Sequence, residues 1–269
     1  MKKTYIDRTA FRYKLAYDGI DLISKPLGAS VIGSYGRSYI NKYCRLNLSS
    51  EQIELFISRC IQERKANLNV DLRGLSQVLC DKYEVGLLTI SEQQCIPGSD
   101  YVLLNKEQLD FWKDAGLSLF DAQFMVVPSR DWHGKINEVG FRILDQERVH
   151  YGFKWLFPIG QQATFGLHKC GIDKRLILCE GFLDYVALTE SGHKNVVGLG
   201  SVDLTSRHLC QLDIEHYSGW VFCFDMDHYG LLKSGEFIDQ NRACFYQPEG
   251  KDPYEVYQKY GHVELVFIK

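Results

Sequence analysis

The stretch Leu176-Ile177-Leu178-Cys179-Glu180-Gly181-Phe182-Leu183-Asp184-Tyr185 decides the fold. Four apolar residues run into an acid and a glycine, and a second apolar stretch follows over 182–191 before Gly192. The first part predicts a buried strand, and the second a helix closed by a C′ glycine. Working outward, the alternation repeats. Residues 196–200 predict a strand, 204–212 a helix, 220–224 a strand and 243–246 another. Asp252 is placed to cap a helix with Pro253 at its first position, that helix ends at Gly261, and 263–268 predict a closing strand. Strands alternating with helices predict an α/β domain, a mostly parallel sheet flanked by helices.

Acids stand where the strands of this domain end. Glu180 follows the first strand and Asp184 comes four residues later; Asp225 and Asp227 follow the strand at 220–224; Asp252 follows Pro248-Glu249-Gly250. Open α/β sheets carry their chemistry outside the carboxyl ends of the strands. Carboxylates gathered on one rim repel each other unless a cation neutralises them, and hard oxygen ligands of this kind suit Mg²⁺ or Mn²⁺. Taken singly, each acid also reads as an ordinary helix cap or solvated turn residue, Asp252 before Pro253 above all.

The front of the chain has a different character. Ser49 and Gln52 form a capping-box pattern, and Ile53, Phe56, Ile57, Cys60 and Ile61 fall on one helical face. A second helix is expected over 72–83, presenting Leu75, Val78 and Leu79, and a third over 105–116. Then come a short apolar strand over 124–128 ending at Pro128, turn chemistry over 131–135 and a strand over 138–144, which together predict a hairpin.

Composition narrows the function classes. The chain of 269 residues is 45% hydrophobic and 24% charged, an ordinary globular mixture with a formal net charge of −3. Binding of nucleic acid by bulk positive charge is therefore not expected. The charge is uneven: residues 1–75 carry a balance of +6 and residues 76–269 one of −9. A basic front could grip phosphates beside an acidic, metal-binding back, although two solvated surfaces would give the same counts. None of the nine cysteines forms a Cys-x-x-Cys pair, so a zinc knuckle is not expected. Several lie in apolar runs, as free thiols do in a reducing cytosol. No apolar run approaches the roughly 20 residues of a membrane span, and the polar start gives no secretory leader. A cytoplasmic protein without a membrane partner is expected.

Three of these stretches together, Glu180-Gly181-Phe182-Leu183-Asp184, Val196-Val197-Gly198-Leu199-Gly200-Ser201 and Phe224-Asp225-Met226-Asp227, resemble the TOPRIM fold. DnaG-type primases, type IA and II topoisomerases, OLD-type nucleases and RecR-type repair proteins share it. Tyr246-Gln247-Pro248-Glu249-Gly250-Lys251-Asp252-Pro253 resembles the Leu-Pro-x-Gly-x-Asp-Pro signature of DnaG-type primases. Upstream, Ala115-Gly116-Leu117, Val127-Pro128-Ser129-Arg130-Asp131-Trp132-His133-Gly134 and Gly140-Phe141-Arg142 resemble the subdomain that precedes TOPRIM in those enzymes. Tyr151 with Lys154-Trp155-Leu156 resembles the variant in phage and plasmid primase-like proteins.

The resemblance implies a C-terminal TOPRIM domain over 171–269, a mixed α+β primase-like subdomain over 105–170 and a helix-rich basic region over 1–104. It implies a metal-dependent nucleotidyltransferase that makes short RNA primers on a single-stranded DNA template from ribonucleoside triphosphates, with a separate replicative helicase as a further partner. Glu180, Asp225 and Asp227 then hold Mg²⁺ or Mn²⁺ and act in catalysis, with Asp184 and Asp252 as supporting ligands, and Arg142 and Lys154 bind nucleotide or nucleic acid. The chain departs from the family at His228-Tyr229 before Gly230, at Ile159 and at Tyr254, where a second acid is usual. These departures leave two alternatives: a catalytically impaired TOPRIM protein that binds DNA or a replication partner, and a TOPRIM nuclease.

Overall fold

A computed structural model describes residues 50–89, 123–144, 155–157, 163–171, 175–200, 219–225, 243–246 and 252–267. The helices expected over 105–116 and 204–212 lie outside them. Helix α1 (Ser50–Ala66) buries Ile53, Phe56, Ile57 and Cys60 along one face, as the spacing requires, while Ile61 is only half-buried. The same face continues into Arg64, 1% exposed, whose guanidinium bonds Gln77 Oε1 at 2.7 Å and pairs with Asp81.

The second helix is shorter than expected. Helix α2 spans only Gln77–Lys82, with Ser76 as its N-cap accepting the Leu79 N–H. Leu72 and Leu75 are buried, but in the turn that leads into it, and Val78 is 75% exposed. The turn wins over the apolar spacing because Asp71 Oδ1 accepts the Gly74 N–H at 2.8 Å and both Arg73 and Gly74 take positive φ.

Strand β1 (Gly86–Thr89) then opens a four-stranded antiparallel sheet in the order β1-β2-β3-β4, with β2 (Gln123–Arg130), β3 (Ile136–Ile143) and β4 (Trp155–Leu156). β1 and β2 are paired neighbours on either side of residue 104. The hairpin between β2 and β3 forms as expected, with Asp131 Oδ1 accepting from the His133 and Lys135 N–H groups. β2 does not stop at Pro128 but runs on to Arg130. β1 reaches β2 only as far as Val126, so Pro128 has a strand neighbour on one side alone, where its missing donor is tolerated.

The second sheet has the order β6-β5-β7-β8-β9. It is built from β5 (Arg175–Cys179), β6 (Val196–Gly198), β7 (Gly219–Cys223), β8 (Ala243–Tyr246) and β9 (Val266–Phe267). β5, β6, β7 and β8 run parallel, as the alternation predicts, and the short β9 joins antiparallel. Helix α3 (Phe182–Glu190) follows β5, and helix α4 (Pro253–Tyr260) lies between β8 and β9. The two helices end at Gly192 and Gly261, with φ of 89° and 73°. A backbone bridge joins the halves: Phe165 and Gly198 exchange N–H···O bonds of 2.8 and 3.0 Å. One buried cluster runs through both, from Leu72, Val85 and Met125 to Phe165, Phe182, Tyr185 and Val263.

Candidate metal and phosphate site

Strand register brings the acids together. Cys179 lies beside Gly198 of β6 and Cys223 of β7, so the strands end at one level and their following residues share one rim. Gly198 makes this rim close-packed: a Cβ there would lie 2.6 Å from the Gly181 carbonyl oxygen.

Asp184, Asp252 and Glu180 each accept a backbone N–H. Asp184, the third residue of α3, accepts the Gly181 N–H on Oδ2 at 3.0 Å, an acid reaching back to its own N-cap. It also accepts the Tyr254 N–H, which ties the start of α3 to the start of α4. Asp252 caps α4, its Oδ1 accepting the Glu255 N–H at 2.8 Å. Glu180 Oε1 accepts the Asp225 N–H at 2.9 Å.

Asp184, Asp225 and Asp252 each offer a carboxylate oxygen within 4.8 Å of the others. The Asp184 carboxyl is buried, and it is pushed up to about 7, first by that burial and then by the negative charges of Asp225 and Asp252; the Gly181 and Tyr254 N–H groups pull the other way. A set of hard oxygen donors that raises the proton affinity of its own member fits a divalent cation, which would replace the proton.

The cluster opens into a cleft of about 330 Å³ that Glu180, Arg73, Arg142, Trp155 and Tyr254 also line. Arg142 stands on the cation-attracting face of Trp155, 5.5 Å from the ring centre. Burial, and then the nearby positive charge of Arg73, bring the Arg142 guanidinium down to about 10, while Asp184 and Asp252 act to raise it. Arg73 enters from the opposite end of the chain: its carbonyl oxygen accepts the Tyr254 hydroxyl at 2.6 Å. The cleft thus sets acids that can hold a cation beside two cations that can hold an anion, as a metal–phosphate complex needs.

Of the residues expected from sequence, Glu180, Asp184, Asp225, Asp252 and Arg142 meet in this cleft; Asp227 and Lys154 lie outside the described residues. The converging trio is Asp184, Asp225 and Asp252, with Glu180 turned to the Asp225 backbone. Sequence reasoning passed over Arg73 and Trp155. For Arg73 the available signal was Asp71-Leu72-Arg73-Gly74, a turn pattern that fixes an arginine in place.

Residues 177–257 match the Toprim-like family model. The chain is 28% identical over 165 residues to the DNA primase of Pseudomonas putida, covering 52% of this chain and 25% of that protein. It is 25% identical over 260 residues to the DNA primase of Escherichia coli K12, covering 84% and 43% respectively. The chain therefore spans less than half the length of these relatives. Among solved structures, a DnaG catalytic core superposes with a TM-score of 0.54 at 19% identity, covering 78% of this chain and 76% of that one. The Escherichia coli primase catalytic core gives 0.53 at 22% identity, covering 78% and 75%. A DnaG primase catalytic domain bound to single-stranded DNA gives 0.52 at 20% identity, covering 85% and 77%. The chain has the fold of the DnaG-type primase core, with a Toprim-like domain at its C-terminal side. Among the described residues, no helix is long and apolar enough to cross a membrane.

Proposed function

We propose that this chain is the RNA-polymerase core of a DNA primase: a nucleotidyltransferase that joins ribonucleoside triphosphates into short primers on a single-stranded DNA template. The observation that carries the reading is the meeting of Asp184, Asp225 and Asp252 with Arg73 and Arg142 in one cleft. The likeness to a DnaG catalytic core covers 78% of the chain, well beyond the Toprim-like residues 177–257, which favours this reading over a nuclease or a non-catalytic binder.

Asp184, Asp225 and Asp252 would hold Mg²⁺ or Mn²⁺, with Asp227 as a further ligand. When bound, such an ion supplies Lewis-acid stabilisation of phosphoryl oxygens and makes a hydroxyl a stronger nucleophile. The chain's own residues do the rest. Glu180 fixes the Asp225 backbone, so the carboxylate after β7 faces its partners without reorganising. Arg73 and Arg142 take phosphate oxygens, and Lys154 is a third candidate for this role. Trp155 supports the Arg142 fork from beneath. The basic region 1–104 grips template phosphates and supplies Arg73 to the cleft, 105–170 supplies Arg142 and Lys154, and 171–269 the acids. A replicative helicase would bring the core to its template, in the cytoplasm.

The test is template-dependent incorporation of ribonucleotides on single-stranded DNA with Mg²⁺ or Mn²⁺. Asp225→Ala and Glu180→Ala are expected to abolish it. Synthesis that survives both substitutions would overturn the assignment, and cleavage of the template without added nucleotides would point to the nuclease.

A further inference from the structure

Tyr254 follows directly on Asp252-Pro253, and its side chain reaches away from the acids to the turn before α2. The hydroxyl donates to the Arg73 carbonyl oxygen at 2.6 Å, and Gln258, one turn further along α4, donates to the same oxygen through Nε2 at 3.2 Å. The bonds fall on a turn in an uncommon conformation. Arg73 has φ of 63° and Gly74 of 78°, a region that residues with side chains seldom enter. The tip of the Gln258 side chain lies over Gly74, where a Cβ would displace it. Asp252 caps the same end of α4 that carries Tyr254, and the Tyr254 N–H goes to Asp184.

We propose that Tyr254, assisted by Gln258, is a positioning residue that fixes Arg73 at a set place relative to the acidic cluster, so that Arg73 meets the triphosphate of a nucleotide whose metal the acids hold. The inference rests on the reading of the cleft as a nucleotide site. One residue thereby touches both parts of the cleft: its amide steadies a carboxylate, and its hydroxyl steadies the backbone of a cation 181 positions away in the chain. The pair of bonds locks α4 to the turn before α2.

The test uses the full chain with ATP and Mg²⁺ and measures equilibrium affinity by calorimetry. Tyr254→Phe removes one atom and keeps the ring packing, and Gln258→Met removes the second bond. Each is made alone and together with Arg73→Ala. Loss of one such hydrogen bond is expected to weaken ATP about threefold to tenfold. If Tyr254 acts through Arg73, neither substitution weakens ATP further once Arg73→Ala is present. In primer synthesis the same variants raise KM for the nucleotide and leave kcat nearly unchanged. Equal weakening in the wild-type and Arg73→Ala backgrounds would overturn the inference, as would unchanged affinity in Tyr254→Phe or no ATP binding by the wild-type chain. ATP binding with the expected coupling but without primer synthesis would remove the primase reading and leave the lock standing.

Discussion

Glu180 Oε1 accepts the backbone N–H of Asp225 at 2.9 Å, so the acid that follows β5 sets the backbone of the acid that comes after β7. The two strands are neighbours in parallel register up to Cys179 and Cys223, and this bond carries the pairing one step beyond the sheet. Glu180→Gln keeps an acceptor oxygen and should retain much of the metal affinity. Glu180→Ala loses it and should weaken Mg²⁺ or Mn²⁺ binding by about tenfold to a hundredfold, as loss of a supporting partner does elsewhere. A metal titration of the two variants checks the difference; equal affinities would separate Glu180 from the cluster.

The Asp184 carboxyl, raised to about 7 by burial and by its acidic neighbours, couples metal, proton and stability. A carboxyl binds its proton more tightly folded than unfolded when its folded value is raised. The metal-free protein should therefore lose stability as pH rises from about 4 to about 7, by something on the order of a few kcal/mol, and change little from this group above that window. Thermal melts in a chelator across this range test it. Added Mg²⁺ should reverse the trend, because the deprotonated trio is the form that binds.

The Arg142 guanidinium lies over the Trp155 ring, 5.5 Å from its centre. Arg142→Lys keeps a charge but loses the forked donor geometry. It should raise KM for the nucleotide about tenfold, close to the effect of Arg142→Ala. Trp155→Leu should cost less, about threefold, by loosening the support alone. Steady-state kinetics on the three variants decides the order; full activity in Arg142→Lys would mean that charge alone matters there.

Gly198 sits where β6 passes the Gly181 carbonyl, and a methyl group has no room there. Gly198→Ala should destabilise the protein by about 1–3 kcal/mol, since both close partners are backbone and cannot swing away. Denaturant unfolding measures it. Asp184 accepts the Gly181 N–H, so the same substitution should also weaken metal binding.

Much of this was legible from local chemistry. Asp252-Pro253, Gly192 and Gly261 mark helix ends through caps that depend on one or two residues, and the structure places the ends there. The acids were readable because strand ends in a parallel sheet share a rim. The misreadings came where local and non-local terms compete. Leu72 and Leu75 are buried as their apolarity requires, yet in a turn, because Asp71 and Gly74 commit the chain first. Pro128 looked like the end of a strand, but it breaks one only where a second neighbour needs its N–H, and β1 stops short of it. For Arg73 the local turn pattern was legible, but not the cleft it lines, because its partner Tyr254 lies 181 positions away in the chain.

The buried cluster that runs from Leu72 and Val85 through Met125 and Phe165 to Phe182, Tyr185 and Val263 has a consequence for how the molecule comes apart. Neither sheet owns it. A cut at residue 104 or 171 would leave each fragment with a raw apolar face and would sever the Phe165–Gly198 bridge or the β1–β2 pairing. The two sheets should therefore melt in one cooperative transition, and the halves should refold only when mixed. The cleft then exists only while both halves are intact, so its cations and its acids appear and vanish together.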